Sequence, residues 1–212
     1  MWVAGVDGCR AGWVVALRHV GSGELRLRPL AGIAGLDALA ETPQRIAIDM
    51  PAGLQDSPTR GGRDCERAAR RILKGKTSSV FSAPCRGVLD APTYADALRL
   101  SRATGPHAIG LSQQAFHLLP RLRDLDCWIT PQRQRRCIEA HPELAFARLN
   151  GGSPVLSPKR KPAGRAERLL LLREDGLEID DDLVARRPGG YGIDDALDAI
   201  VLTCTAERHL RG

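Results

Sequence analysis

Two short apolar segments that each end at an aspartate constrain the fold of this chain more than any other feature. Residues 2–6 lead into Asp7, and Arg45–Ile48 lead into Asp49. Short apolar runs rich in Val and Ile are typical of strands buried on both faces. The pair Asp7-Gly8 alone could also be an ordinary hairpin turn. The repetition at a second strand favours a common role for the two carboxylates.

The segments around these strands predict an α/β fold with a mixed sheet. WVAGVD, GWVVALRHV and ELRLRPL in residues 1–30 predict three antiparallel strands, and IAGLDALAE predicts a short amphipathic helix before the fourth strand. A fifth short strand at 137–139 turns through His-Pro-Glu into a helix. Two further helices are predicted over 163–176 and over 193–210.

Residues 52–130 predict an insertion after the fourth strand. This segment is irregular and basic at first, with a helix predicted over 64–73. Further helical patterns cover 93–104 and 110–125, the second with Pro120 as a predicted kink. At 212 residues the chain is predicted to form one domain carrying this insertion.

The composition of the chain limits its possible binding partners, metal sites and cellular locations. The net charge is +6, with 31 basic and 25 acidic residues, which favours anionic partners. The six cysteines form no Cys-x-x-Cys pair, so we expect reduced thiols and no zinc site. Neither a signal peptide nor an apolar run of about 18 residues is found, which predicts a cytoplasmic protein without a membrane partner.

Carboxylates lie at the ends of several predicted elements. They are Asp7, Asp49, Glu139, Asp194, Asp195 and Asp198. Capping of the last helix explains one or two of the final three. It does not explain acids at the ends of buried strands, because clustered carboxylates are costly to bury unless protons or cations neutralise them. Mg²⁺ or Mn²⁺, which prefer oxygen ligands, are the expected cofactors if the acids converge.

Several ordered motifs resemble the domain-of-unknown-function family 429, whose members are predicted ribonuclease H-like nucleases. The motifs are GVDGCRAGWVVA, IDMPAGL, RDCERAARR, SSVFSAP, IEAHPELAF, KRKPAGRAERLLLL and DDALDA. The resemblance extends over about residues 2–206. The last motif, with its DxxDA spacing, also resembles the final acidic motif of Holliday-junction resolvases. The resemblance implies a ribonuclease H-like five-stranded mixed sheet flanked by helices.

The resemblance also implies the residues of a nuclease site. It implies Asp7, Asp49, Asp195 and Asp198 as catalytic metal ligands, with Glu139 as a fifth catalytic acid. Glu66 departs from the Cys-Asp pair expected in the family, and we expect its longer side chain to move the carboxylate outward.

A phosphate substrate would require positive and hydroxyl groups near the acids. The candidates are Arg63, Arg67, Arg70, Lys76, Ser79, Lys159, Lys161 and Arg165. Some of these can equally be solvated charges, and the TSSVFSAP segment of Ser79 can be a plain turn. His141 is a candidate metal ligand or general acid, although a hydrogen-bonded structural role is the alternative. Cys9 is interpreted as a packing residue because no partner is placed to activate it.

These observations predict hydrolysis of nucleic-acid phosphodiesters by two metal ions. Asp7 would bridge the ions, Asp49 and Asp198 would each hold one, and Asp195 or Glu139 would complete a coordination sphere. Two alternatives remain open: a metal-dependent hydrolase of a small phosphorylated metabolite or nucleotide, and a non-catalytic nucleic-acid or nucleotide-binding module. An actin-like ATPase is disfavoured, because such proteins need a second Asp-x-Gly hairpin that this sequence lacks.

Overall fold

The computed structural model describes residues 1–105, 109–185 and 190–212. The chain forms two compact units, of which the first contains residues 1–50 and 130–212 and the second contains residues 51–129. The second unit spans nearly the same residues as the predicted insertion.

The first unit is built on a five-stranded mixed sheet in the order β3-β2-β1-β4-β5. Strands β1 (Trp2–Cys9), β2 (Gly12–His19) and β3 (Leu25–Leu30) form an antiparallel meander, while β4 (Arg45–Ile48) and β5 (Cys137–Glu139) run parallel to β1. The structure therefore confirms an α/β fold with a mixed five-stranded sheet whose first three strands are antiparallel.

Eight α-helices occur in the described part of the chain. In order they are α1 (Asp64–Ile72), α2 (Tyr94–Ala103), α3 (Gln113–Trp128), α4 (Pro131–Gln134), α5 (Pro142–Leu149), α6 (Pro162–Glu174), α7 (Asp181–Ala185) and α8 (Ile193–Arg211). Helices α1 to α3 belong to the second unit and the others to the first. Pro120 lies inside α3.

Two local predictions differ from the structure. The segment predicted as an amphipathic helix before β4 forms only a 3-10 turn at Ile33–Ala38, in which Ile33 and Leu36 are buried. The segment is too short for stable α-helical propagation, so the two apolar anchors set its geometry. The short helix α7 was not predicted.

Helix α8 packs against β1, β2 and β4 and forms the centre of the first unit's core. Its buried side chains include Leu197, Ile200 and Val201. Gly5 makes this close packing possible, because a Cβ atom at that position would lie 2.0 Å from the carbonyl oxygen of Ala199. Residues 199–203, in the middle of α8, are therefore held directly against the middle of β1.

All six cysteines lie in the described ranges and none forms a disulfide. Four are buried, whereas Cys65 and Cys127 are exposed. Across residues 1–105, 109–185 and 190–212, no helix combines the length and the apolar character needed to span a membrane. The cytoplasmic location stays a prediction.

Candidate active site

Parallel pairing brings Asp7 and Asp49 together at one end of the sheet. Val6 pairs with Ile48, and the backbone N–H of Asp49 donates to the carbonyl of Val6 over 2.8 Å. The residues that follow this pair are therefore neighbours on the same face of the sheet. Gly5, two residues before Asp7, lies on this face too, and it is the face that α8 covers.

Helix α8 adds a third carboxylate from Asp198. This residue precedes Ala199, whose carbonyl lies over Gly5, and only 2% of its surface is exposed. Asp7 is 7% exposed, and it interacts electrostatically with both Asp49 and Asp198. The structure thus brings three of the predicted acids together, and we call Asp7, Asp49 and Asp198 the acid cluster.

Burial is the main influence on the protonation of the acid cluster. It raises the pKa of Asp7 well above its usual range, and repulsion from Asp49 and Asp198 adds to this effect. The pKa of Asp49 is also raised by burial, although a hydrogen bond with Asp7 opposes the rise. A hydrogen bond between two carboxyls requires a proton, which the Asp7–Asp49 pair shares.

Lys159 supplies positive charge to the acid cluster. Its ammonium group forms an ion pair with Asp198. Burial raises the pKa of Asp198 to about 6 despite this attraction. Burial alone would lower the pKa of Lys159, but Asp198, Asp7 and Asp49 raise it above its usual value, so the ammonium stays protonated. Three carboxyl groups therefore share one partly exposed cation, whose side chain is 38% exposed.

The loop that carries Lys159 is held by a buried arginine. Arg168 of α6 is 1% exposed and forms a two-pronged ion pair with Glu143 of α5, at 2.9 and 3.0 Å. Its other terminal nitrogen donates to the carbonyls of Ser157 and Gly164, each at 3.0 Å. Since Ser157 lies two residues before Lys159, the Arg168–Glu143 pair positions the loop that holds the lysine.

Two other predicted acids have different surroundings. Asp195 accepts a 2.7 Å hydrogen bond from the backbone N–H of Gly192, so it caps α8, and it also raises the pKa of Asp7. Glu139 pairs with Ile48 in the sheet, which places it on the face opposite Asp49. It is exposed, although its charge still raises the pKa of Asp49. Both acids are near the cluster, but neither is buried in it.

His141 caps helix α5 through its imidazole ring. Nδ1 accepts a 3.2 Å hydrogen bond from the backbone N–H of Glu143, so the neutral ring carries its proton on Nε2. His141 also acts to lower the pKa of Asp49, against the larger effect of burial. This arrangement supports the structural role of His141, with Nε2–H as a hydrogen-bond donor.

The predicted substrate-binding residues fall into both units. Lys159, Lys161 and Arg165 lie in the first unit, the last two at the N-cap and the first turn of α6, and the remaining five lie in the second unit. There, Arg70 donates to the carbonyls of Gly61 and Val80, and Arg67 forms an ion pair with Asp64. Ser79 donates to the carbonyl of Lys76 over 2.8 Å. Their contact with a substrate stays a prediction.

The expectation for Glu66 was wrong. Its carboxylate does not point outward, because the residue is 5% exposed and forms a 2.6 Å ion pair with Arg63. It also accepts a 2.9 Å hydrogen bond from the backbone N–H of Ala83. The longer side chain reaches across to residues 80–84, so Glu66 has a structural role within the second unit.

Metal binding must be judged from the chemistry of the acid cluster. Within the described residues, no three His, Cys, Asp or Glu side chains are arranged so that they could hold a metal ion as they stand. The oxygen donors of the acid cluster suit Mg²⁺ or Mn²⁺, and its excess of negative charge favours a divalent cation. Binding would require the Asp7–Asp49 proton to leave and Lys159 to release Asp198.

Two residues of this region were not identified from the sequence as functional or positioning residues. Glu143 and Arg168 belong to quoted motifs, but their pairing was not foreseen. A signal was present, since Arg168 lies three and four residues before the buried Leu171 and Leu172 of α6. A charged residue on the apolar stripe of a helix indicates a buried partner.

Comparison with known families gives one match, to the family described as "Protein of unknown function (DUF429)", over residues 5–212. Comparisons with curated proteins and with solved structures find no match.

Proposed function

Because the chain belongs to the DUF429 family, whose description names no function, we propose a function from the site: metal-dependent hydrolysis of nucleic-acid phosphodiester bonds. The observation that carries this proposal is that Asp49 and the buried Asp7 and Asp198 come together beside the ammonium of Lys159. Such a cluster is costly to fold, and strongly perturbed carboxyls of this kind mark functional sites.

The sheet supports a ribonuclease H-like assignment as part of this proposal. Three antiparallel strands come first, β4 then pairs parallel to β1 and β5 parallel to β4, and the last helix packs on the sheet. The three acids come from β1, the end of β4 and α8, which is the placement that the family resemblance implies.

The acid cluster would hold Mg²⁺ or Mn²⁺ through Asp7, Asp49 and Asp198, with Asp195 and Glu139 as nearby charges. When bound, such an ion supplies a water of lowered pKa and stabilises charge on phosphate oxygens. The divalent charge replaces the proton and the ammonium that neutralise the cluster otherwise. Because a divalent ion can replace the proton and the ammonium in this way, the excess of carboxylates at the site has a functional reason.

Lys159 binds a phosphate oxygen of the substrate in this proposal. Its ammonium lies at the acid cluster and is protonated over the whole physiological range, so it is a permanent cation at the reacting phosphate. The Arg168–Glu143 pair fixes the loop from which it extends. Lys161 and Arg165 follow it in the chain and extend the positive surface for neighbouring phosphates.

The proposal is tested by assaying nucleic-acid cleavage with Mg²⁺ or Mn²⁺ for the wild type and for Asp7→Asn and Asp198→Asn. We expect at least a hundredfold loss in each variant, because each removes a charged ligand while keeping the side-chain shape. The matched control is Asp56→Asn, which removes an exposed carboxylate of the second unit and should leave activity unchanged.

Calorimetric titration with Mn²⁺ provides a second readout that does not depend on the substrate. We expect Asp7→Asn to lose Mn²⁺ binding while its thermal stability equals or exceeds that of the wild type. Undiminished cleavage by Asp7→Asn would refute the proposal. Turnover of small phosphate esters without cleavage of DNA or RNA would replace the nuclease by the metabolite hydrolase.

A further inference from the structure

We propose that a pocket at the C-terminal end of α8 binds the phosphate group of a small organic phosphomonoester. The pocket has a volume of about 570 Å³ and lies entirely within the first unit. It is lined by Arg18, Arg148, Leu149, Asp175, Cys204, Glu207, Arg208 and Arg211. None of these residues belongs to the acid cluster, so this site is additional to the one proposed for catalysis.

The charges of the pocket are unbalanced in favour of an anion. Four guanidinium groups face two carboxylates, and Glu207 is already engaged by Arg18 at 2.8 Å and by Arg211. The C-terminal ends of α5, α6 and α8 contribute about half a negative charge each, which together is less than the excess of two guanidinium charges. The pocket therefore keeps a net positive charge.

Two of the arginines supply this excess. In the described part of the chain, neither Arg148 nor Arg208 has an ion-pair partner within 4.0 Å, and Arg208 donates a 3.2 Å hydrogen bond to the hydroxyl of Thr205. Burial lowers the pKa of Arg208, and repulsion from Arg148 lowers it further. Two guanidinium groups that repel one another across a pocket match the two or three free oxygens of a phosphate dianion.

The volume of the pocket indicates a ligand larger than inorganic phosphate. Pockets of about 300 to 1,000 Å³ typically enclose small organic molecules. Leu149 contributes apolar surface to the pocket wall. Asp175, which is exposed and forms a hydrogen bond with the thiol of Cys204, places a negative charge at one side of the pocket. A phosphomonoester with an organic group, such as a mononucleotide, meets these features.

The pocket and the acid cluster are well separated on α8. Arg208 follows Asp198 by ten residues, which corresponds to about 15 Å along the helix axis. The two positions also differ by about 80° around the helix, at 100° for each residue. A ligand of mononucleotide size in the pocket therefore leaves the acid cluster open.

The test is calorimetric titration of the full chain with a nucleoside 5′-monophosphate, in buffer that contains a chelator. We expect binding to the wild type, binding about tenfold weaker to Arg148→Gln, and tighter binding to Asp175→Asn, which removes a competing carboxylate. Arg135→Gln is the matched control, because it removes an exposed arginine of the same unit that does not line the pocket. Its affinity should equal that of the wild type.

Further titrations identify the source of the phosphate and separate this site from the acid cluster. Inorganic phosphate should bind more weakly than the monophosphate, the unphosphorylated nucleoside should not bind, and Asp7→Asn should bind like the wild type. The proposal is overturned if Arg148→Gln binds as tightly as the wild type. It is also overturned if the nucleoside binds as well as its monophosphate, or if an oligonucleotide without a terminal phosphate competes equally.

Discussion

Two buried groups of charges in the first unit differ in their balance. Arg168 and Glu143 form a matched pair with two hydrogen bonds, at 2.9 and 3.0 Å. The acid cluster instead places three carboxyls around the single ammonium of Lys159. The first arrangement has the form of a structural support, whereas the second is unfavourable unless a proton or cation is added. The balance of positive and negative charge therefore distinguishes a structural ion pair from a functional cluster better than the degree of burial does.

The largest effect is expected when the balanced pair is broken. Arg168→Met removes the ion-pair partner of the buried Glu143, and we expect the free energy of unfolding to fall by about 3–5 kcal/mol. Urea denaturation measures this change, with Arg135→Gln as the control for loss of an exposed arginine. The double variant Arg168→Met with Glu143→Leu should recover part of the loss, because it removes both charges.

Full recovery is not expected, since Arg168 also holds the carbonyls of Ser157 and Gly164. If Arg168→Met is as stable as the wild type, the pair is not the support that its geometry indicates. In that case the placement of Lys159 would require another explanation.

The acid cluster should respond to pH in the opposite way from an ordinary ion pair. The folded-state pKa of Asp198 is about 6, above the unfolded value of about 3.9. Its contribution to stability is therefore present below about pH 4 and is lost as the pH rises through about 6. In metal-free buffer, the stability of the wild type relative to Asp198→Asn should fall by about 2–3 kcal/mol between pH 4 and pH 7.

Denaturation curves at several pH values measure this difference. Asp56→Asn, which changes an exposed carboxylate, should show no comparable trend. A wild-type advantage that grows with pH would mean that Lys159 outweighs burial at Asp198.

The sequence was sufficient to predict the five-stranded sheet and the elements that carry the acidic residues. Apolar runs and their end points are local properties, so Asp49 was correctly predicted to follow β4, whereas β1 continues past Asp7 to Cys9. The DxxDA spacing placed Asp198 in the last helix, and parallel pairing then brought the three together.

Ion pairs between residues that are far apart in the chain could not be predicted from the sequence. Lys159 was only one of eight candidate phosphate-binding residues until the structure paired it with Asp198. Arg168 and Glu143 lie 25 residues apart on different helices, and their pairing depends on how α5 and α6 pack. The spacing of Asp195 and Asp198 could not show which of them caps α8 and which is buried, because both lie near the start of the helix and are only three residues apart.

The smallest effect is expected at Glu41, a buried carboxylate whose charge is balanced. A hydrogen bond from Arg26 lowers the pKa of Glu41 against the opposing effect of burial, and the ion pair spans 2.9 Å. Its contribution to stability is therefore present above the unfolded pKa and is lost as the pH falls through the folded value. Since the side chain of Arg26 is 36% exposed, solvent screening limits the contribution to less than about 1 kcal/mol.

Glu41→Gln should thus lower stability slightly at pH 7, and this effect should diminish as the pH falls, the reverse of the trend at Asp198. Raising the salt concentration to about 1 M should reduce the difference at Glu41, because exposed ion pairs are screened. The same salt should change the pH trend at Asp198 much less, since that carboxyl is buried. Equal salt sensitivity at the two sites would show that water reaches the acid cluster more freely than the burial of Asp198 indicates. It would weaken the argument that a bound metal ion replaces a buried proton and an ammonium group.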